Sequence, residues 1–193
     1  MRSIENICVY AASSDALEAP FVDAAERLGL QIAAHDKTLV YGGGSIGLMG
    51  VCARAVHAGG GRVIGVIPEK LQGLELGYDA ADELIVTTGM RERKAIMEER
   101  ADAFVALPGG LGTLEEIIEV IVLKQLQYHQ KPILFLNTAG IFDRLFAFLD
   151  ALVEARFVKS NQRNLYAVVD DPEAVMPYLT DYAPSTFEDK WFT

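Results

Sequence analysis

Short, nearly continuous apolar runs alternate with longer stretches at helical spacing, and this alternation most constrains what the chain can become. The runs Ile7 to Tyr10, Thr38 to Tyr41, Arg62 to Ile67, Glu83 to Thr87, Ala103 to Leu107, Pro132 to Leu136 and Tyr166 to Val169 have strand length. Between them, Phe21 to Ala34, Leu48 to Ala58, Arg91 to Arg100, Leu114 to Leu126 and Phe142 to Ala155 read as helices. Strands without polar alternation are those buried on both faces. Strand and helix in regular turn imply right-handed parallel crossovers. The expected fold is α/β: a Rossmann-like doubly wound parallel sheet with helices on both faces. The 193 residues suit a single domain over 1–193. Glu69 to Asp82 lacks a period and is expected to be irregular, and 183–193 reads as a loose end or an arm on a partner subunit.

Composition narrows the function classes. Acidic side chains number 27 against 17 basic ones, a net charge of −10. A general nucleic-acid binder needs a basic footprint, and an anionic membrane repels such a chain. Cys8 and Cys52 sit in apolar runs with no partner at metal-ligand spacing, which reads as two reduced core thiols. Glu5 interrupts the first apolar stretch, unlike a signal peptide, and no run approaches the ~20 apolar residues of a membrane span. The chain is expected to be soluble and cytoplasmic.

In this fold ligands bind outside the carboxyl ends of the strands. Three strand ends are rich in small residues: Ala11-Ala12-Ser13-Ser14, then Gly42 to Gly47, then Pro108 to Thr113. Glycine lets backbone N–H groups approach an anion, and a following helix N-terminus adds partial positive charge. Such turns at neighbouring strand ends suit a phosphate. The second turn fits G-x-G-x-x-G as Gly42, Gly44 and Gly47, with Glu69 near the place of a ribose-binding acid. Phosphate or ribose contact, a plain tight turn and dinucleotide binding all stay open for it. No G-x-x-x-x-G-K-[ST] run is present.

Thr113 and Glu116 have the spacing of a capping box, with Glu116 reaching back to the Thr113 N–H. The other reading places the Glu116 carboxylate at the rim of a phosphate-binding turn. Glu115 and Glu119 read as solvated or ion-paired. Arg91-Glu92-Arg93-Lys94 and Glu98-Glu99-Arg100 form either a salt-laced surface helix, with Lys94 and Glu98 paired at i, i+4, or a local basic cluster aimed at a phosphorylated substrate. His35, His57 and His129 lack partners at catalytic spacing and read as surface or packing residues.

Pro108-Gly109-Gly110-x-Gly112-Thr113-x-x-Glu116 resembles the PGGxGTxxE signature of the LONELY GUY (LOG) family. Its members are cytokinin riboside 5′-monophosphate phosphoribohydrolases, often labelled lysine decarboxylases. Met90-x-x-Arg93-Lys94, Tyr41-Gly42-Gly43-Gly44-Ser45-x-Gly47-Leu48-Met49-Gly50 and Val63 to Pro68 are similar to further family motifs. The resemblance covers about Ile7 to Leu149. It implies a homodimer with its site near the subunit interface. The implied reaction cleaves an N-glycosidic bond, without metal or cofactor, giving an adenine-type base and ribose 5-phosphate. Arg93 and Glu116 match the catalytic positions. Glu75, Met90, Lys94, Gly109, Gly110, Leu111, Gly112, Thr113, Leu114 and Glu115 match or flank the nucleotide-binding ones, and Ser13, Gly43, Gly44 and Ser45 join them from the other turns.

Departures from the family pattern fall at Ala11-Ala12-Ser13, Arg91 and Val122-Leu123, where many members have Cys-Gly-Ser, His and Thr-Trp. A non-catalytic nucleotide or molybdenum-cofactor carrier is the alternative function, and a dinucleotide oxidoreductase stands behind it. A lysine decarboxylase generally needs pyridoxal phosphate on a Schiff-base lysine, and no lysine here has a motif for that.

Overall fold

The computed structural model describes residues 3–72, 74 and 77–184. Among the described residues seven strands form one sheet: β1 (Asn6–Tyr10), β2 (Thr38–Tyr41), β3 (Arg62–Pro68), β4 (Glu83–Thr87), β5 (Ala103–Ala106), β6 (Ile133–Leu136) and β7 (Ala167–Val169). The helices are α1 (Ala19–Ala34), α2 (Gly47–Ala58), α3 (Glu69–Gln72), α4 (Met90–Arg100), α5 (Leu111–Gln125), α6 (Asp143–Glu154) and α7 (Val175–Asp181). Spatial order is β4-β3-β2-β1-β5-β6-β7, with every pairing parallel. The chain therefore winds outward from β1 in one direction, returns, and winds outward from β5 in the other. The fold is the expected Rossmann-like, doubly wound α/β architecture.

Alternate residues of β1 explain its unbroken apolar character. Ile7 and Val9 join a core under α1, α2 and α7, whereas Cys8 and Tyr10 join the opposite core under α4 and α5. Both faces of the sheet are covered, so from Ile7 to Tyr10 no position of β1 faces solvent. The carboxylate of Asp102 accepts the backbone N–H groups of Glu5 and Asn6, at 3.0 and 2.9 Å, and so ties the entrance of β1 to β5. Among the described residues, no helix is long and apolar enough to cross a membrane.

Several local expectations change. A 3-10 turn at Ser160–Leu165 and α7 follow α6, where no helical pattern was read. Among the described residues of 69–82, only α3 is regular. His57 is not isolated: its ring lies between the Tyr78 hydroxyl, at 2.9 Å, and the Asp82 carboxylate, at 3.0 Å. These partners come from the irregular connection, which carries no period to announce them. The 183–193 expectation falls, beyond residue 184, outside the described residues.

Helices α1 and α2 meet at Gly29, where an added Cβ would lie 2.5 Å from the Cys52 carbonyl oxygen and 2.7 Å from the Ala55 Cβ. Gly29→Ala gains about 1 kcal/mol of helix propensity and loses more by forcing the helices apart, an overpacking cost of about 1–3 kcal/mol. The expected result is a lower urea midpoint at unchanged m value. An unchanged midpoint would show that the helix pair yields at no cost.

Candidate active site

Strand order reverses between β1 and β5, so the crevice lies at the carboxyl ends of these strands and of their neighbour β2. The loops after β1 and β5 are joined there by a hydrogen bond from the Ala12 N–H to the Pro108 carbonyl. The turn after β2 closes the crevice on the other side. Gly43 accepts the backbone N–H of Tyr78 at 2.9 Å, and Gly44 pairs with Gly77.

Arg93 reaches this crevice from the first half of α4. Its Nε donates to the Val66 carbonyl at 3.0 Å and its Nη2 to the Gly42 carbonyl at 3.3 Å. Nη1 faces the Met90 sulfur at 3.8 Å and the Glu116 Oε1 at 3.3 Å. Only 7% of Arg93 and 8% of Glu116 remain exposed. A buried cation needs acceptors and a counter-charge, and here two strand ends and one helix supply them. The surface-helix reading of α4 therefore fails at Arg93, because one face of the helix is turned inward.

Glu116 does not cap its helix. Helix α5 begins at Leu111 with Gly110 as the N-cap, so Thr113 already lies inside it. The Glu116 side chain turns to Arg93 instead. At α4 it is Glu92 that reaches back, accepting the backbone N–H and the hydroxyl of Thr88, the residue before the N-cap Gly89, at 2.8 and 2.7 Å. The Glu116 Oε1 is buried and accepts no hydrogen bond from the described residues, since its contact with Arg93 is close but not aligned. An unsatisfied buried acceptor costs about 1–3 kcal/mol and is worth keeping only at a working position. Burial pushes the Glu116 carboxyl up to about 7, against the pull of Arg93. A carboxyl poised near neutrality can hold or release a proton in the physiological range.

Lys94 points outward from the same helix turn. Its ammonium is held between Glu115 and Glu119, the latter at 2.8 Å, and not by Glu98. Tertiary contact overrides the i, i+4 pairing because α5 offers two carboxylates together. An inner pair, Arg93 with Glu116, is thus flanked by an outer one that ties α4 to α5.

Two helix N-termini approach the crevice, and they differ. The Gly47 N–H at the start of α2 already donates to the Asp15 carboxylate at 2.7 Å. The start of α5 carries no side-chain cap, and Gly110, Leu111 and Gly112 are exposed there. Its amides remain the better anion donors. Gly43, Gly44 and Ser45 are engaged with the chain itself, through Tyr78, Gly77 and, at 2.7 Å, the Arg54 guanidinium on the Ser45 carbonyl. The dinucleotide reading of this turn loses its basis, because the turn follows β2 and its helix start is occupied by Asp15.

Ser13 lies in the exposed loop after β1, and Met90 opens α4 beside Arg93. Gly109, Thr113 and Leu114 line the start of α5, with Thr113 buried. Glu75 lies outside the described residues. Sequence reasoning missed Asp15 and the carbonyls of Gly42 and Val66. Backbone acceptors leave no side-chain signature, and Asp15 stands far in sequence from the helix it caps.

The profile of a family described as "Possible lysine decarboxylase" matches residues 49–179. The chain is 46% identical over 92% of its length to a probable cytokinin riboside 5′-monophosphate phosphoribohydrolase of Oryza sativa subsp. japonica, 78% of which is covered. It is 43% identical, again over 92% of its length, to a cytokinin riboside 5′-monophosphate phosphoribohydrolase of Arabidopsis thaliana, 83% of which is covered. The solved molybdenum cofactor carrier protein of Chlamydomonas reinhardtii matches with a TM-score of 0.69 and 28% identity, over 93% of this chain and 97% of that one. The all-parallel, doubly wound sheet places the protein in the Rossmann-like α/β class. This chain belongs to the LOG family of phosphoribohydrolases.

The Glu116 carboxyl, followed by 13C NMR at Cδ, is expected to titrate near pH 7. Arg93→Gln should move that midpoint higher, since the cation is what opposes the effect of burial. A midpoint near the ordinary value of 4.5 would mean that the carboxyl is solvated.

Proposed function

We propose that this protein hydrolyses the N-glycosidic bond of adenine-type nucleoside 5′-monophosphates, AMP or cytokinin riboside 5′-monophosphates, to free base and ribose 5-phosphate. The observation that carries this reading is the buried Arg93–Glu116 pair beside the uncapped start of α5. The amides from Gly110 to Thr113 receive the 5′-phosphate, which places the ribose over Glu116. Cleavage passes through an oxocarbenium-like sugar, and the Glu116 carboxylate stabilises it and activates the attacking water. The water oxygen bonds to the anomeric carbon, the glycosidic C–N bond breaks, and the base leaves with a proton. Arg93 neutralises the charge that develops on the departing base and partly offsets the effect of burial on Glu116.

The relatives named as phosphoribohydrolases share more sequence with this chain than the cofactor carrier does, which favours turnover over carriage. Two apolar side chains border the site, Met90 and Leu111, and Leu111 is 87% exposed. They suit contact with a base or its N6 substituent. The protein acts as a cytoplasmic homodimer in this reading. The exposed apolar side chains Val122 on α5, Leu126 just past its end and Phe148 on α6 support such pairing.

Purified protein is incubated with AMP, N6-isopentenyl-AMP, adenosine and CMP, and the products are separated by chromatography. Base released from the two adenylates but not from adenosine is the expected outcome, with a rate that rises through about pH 7 as Glu116 ionises. Glu116→Gln should lower kcat by about 10² or more, the usual scale of a lost general base. Arg93→Lys should lower it at least about tenfold, because the planar fork is lost though the charge remains. Nucleotide binding without any base release would mean a carrier.

A further inference from the structure

Adjacent glycines in the turn after β2 are required for different reasons. Gly43 has a φ of +78°, a backbone conformation that L side chains rarely adopt. Gly42 is not among the residues of positive φ, so its backbone would accept another residue. Space is what forbids one. A Cβ on Gly42 would lie 2.0 Å from the Arg93 Nη2, 3.2 Å from its Cζ and 3.0 Å from the Met49 sulfur.

Far ends of arginine side chains usually yield to such a contact, but this one is held. Its Nε is bonded to the Val66 carbonyl, and its Nη1 faces Met90 and Glu116. The Gly42 carbonyl itself accepts Nη2. One residue therefore supplies both an acceptor for the guanidinium and the bare Cα surface against which it lies. We propose that Gly42 is a positioning residue for the glycosidase site: it seats Arg93 so that the free edge of the guanidinium faces Glu116 and the leaving base. The first glycine of this turn thus serves the arginine and not a bound phosphate. The assignment rests on the proposed glycosidase reading.

A methyl group at position 42 must push the guanidinium off both carbonyls and away from Glu116. Gly42→Ala is expected to lower kcat at least about tenfold while KM changes by less than about threefold. Arg93→Lys and Gly42→Ala should not add: the double variant is expected to be no slower than the slower single one, as for residues acting as one unit. Multiplied losses would show that Gly42 serves something other than the arginine, and would overturn the assignment.

A readout independent of turnover is the Arg93 Nε–H resonance of 15N-arginine-labelled protein, assigned by its loss in Arg93→Lys. It should move and lose exchange protection in Gly42→Ala, and stay in place in Gly112→Ala, whose added Cβ meets open space. An unmoved resonance in Gly42→Ala sinks the proposal even if the protein is a glycosidase. A moved resonance in a protein that releases no base leaves the seat standing and removes the glycosidase reading. If Gly42→Ala fails to fold, Arg93→Ala provides the test, because it leaves room for the methyl. Added guanidinium ion should restore activity in Arg93→Ala and not in the Gly42→Ala, Arg93→Ala double variant. Equal rescue of both would overturn the seat.

Discussion

One buried guanidinium organises the crevice. Removing a cation from water is expensive, and it is tolerated only where hydrogen-bond acceptors and an opposite charge are already in place. For Arg93 they come from three places remote in sequence: the carbonyl after β2, a carbonyl within β3 and a carboxylate on α5. The two carbonyls depend on strand register, because a shift by one residue would turn the Val66 carbonyl away. The seat of the Arg93 guanidinium is therefore set by how β2 and β3 align.

The sheet order gives this arrangement its location. Winding outward from β1 and then from β5 leaves a crevice between them, and the helices on the second face carry both members of the pair. Helix α4 brings Arg93 across the ends of β2 and β3, and α5 starts immediately beyond β5. The outer contacts of Lys94 with Glu115 and Glu119 tie these two helices together on the solvent side. On that side the Lys94 ammonium balances the two carboxylates nearest the buried pair.

Much of this was legible beforehand. The strand positions followed from apolar runs closed by glycine or proline, and the parallel sheet followed from their alternation with helices. The four motifs around Gly42, Val66, Arg93 and Glu116 were visible as residue patterns, though not as one cluster. Of the two readings open for Glu116 the cap fails: Thr113 and Glu116 have the right spacing, but the helix starts earlier, at Gly110, and the carboxylate meets a buried cation. Spacing offers Lys94 a partner in Glu98 on its own helix, and the two carboxylates of α5 take its place. His57 was read as unpartnered because Tyr78 and Asp82 come from a segment without a period.

The sequence by itself determined the alternation of elements, their burial on both faces and the presence of an arginine and a glutamate in matched motifs. These are local properties, set by side-chain polarity and by where glycine and proline interrupt the chain. Only the tertiary structure decided that Glu116 faces Arg93 and does not cap its own helix, that Asp15 occupies the start of α2 while the start of α5 stays open, and that Gly42 lies against a guanidinium. Those outcomes depend on which charges share a desolvated space, and desolvation is a property of the packed whole.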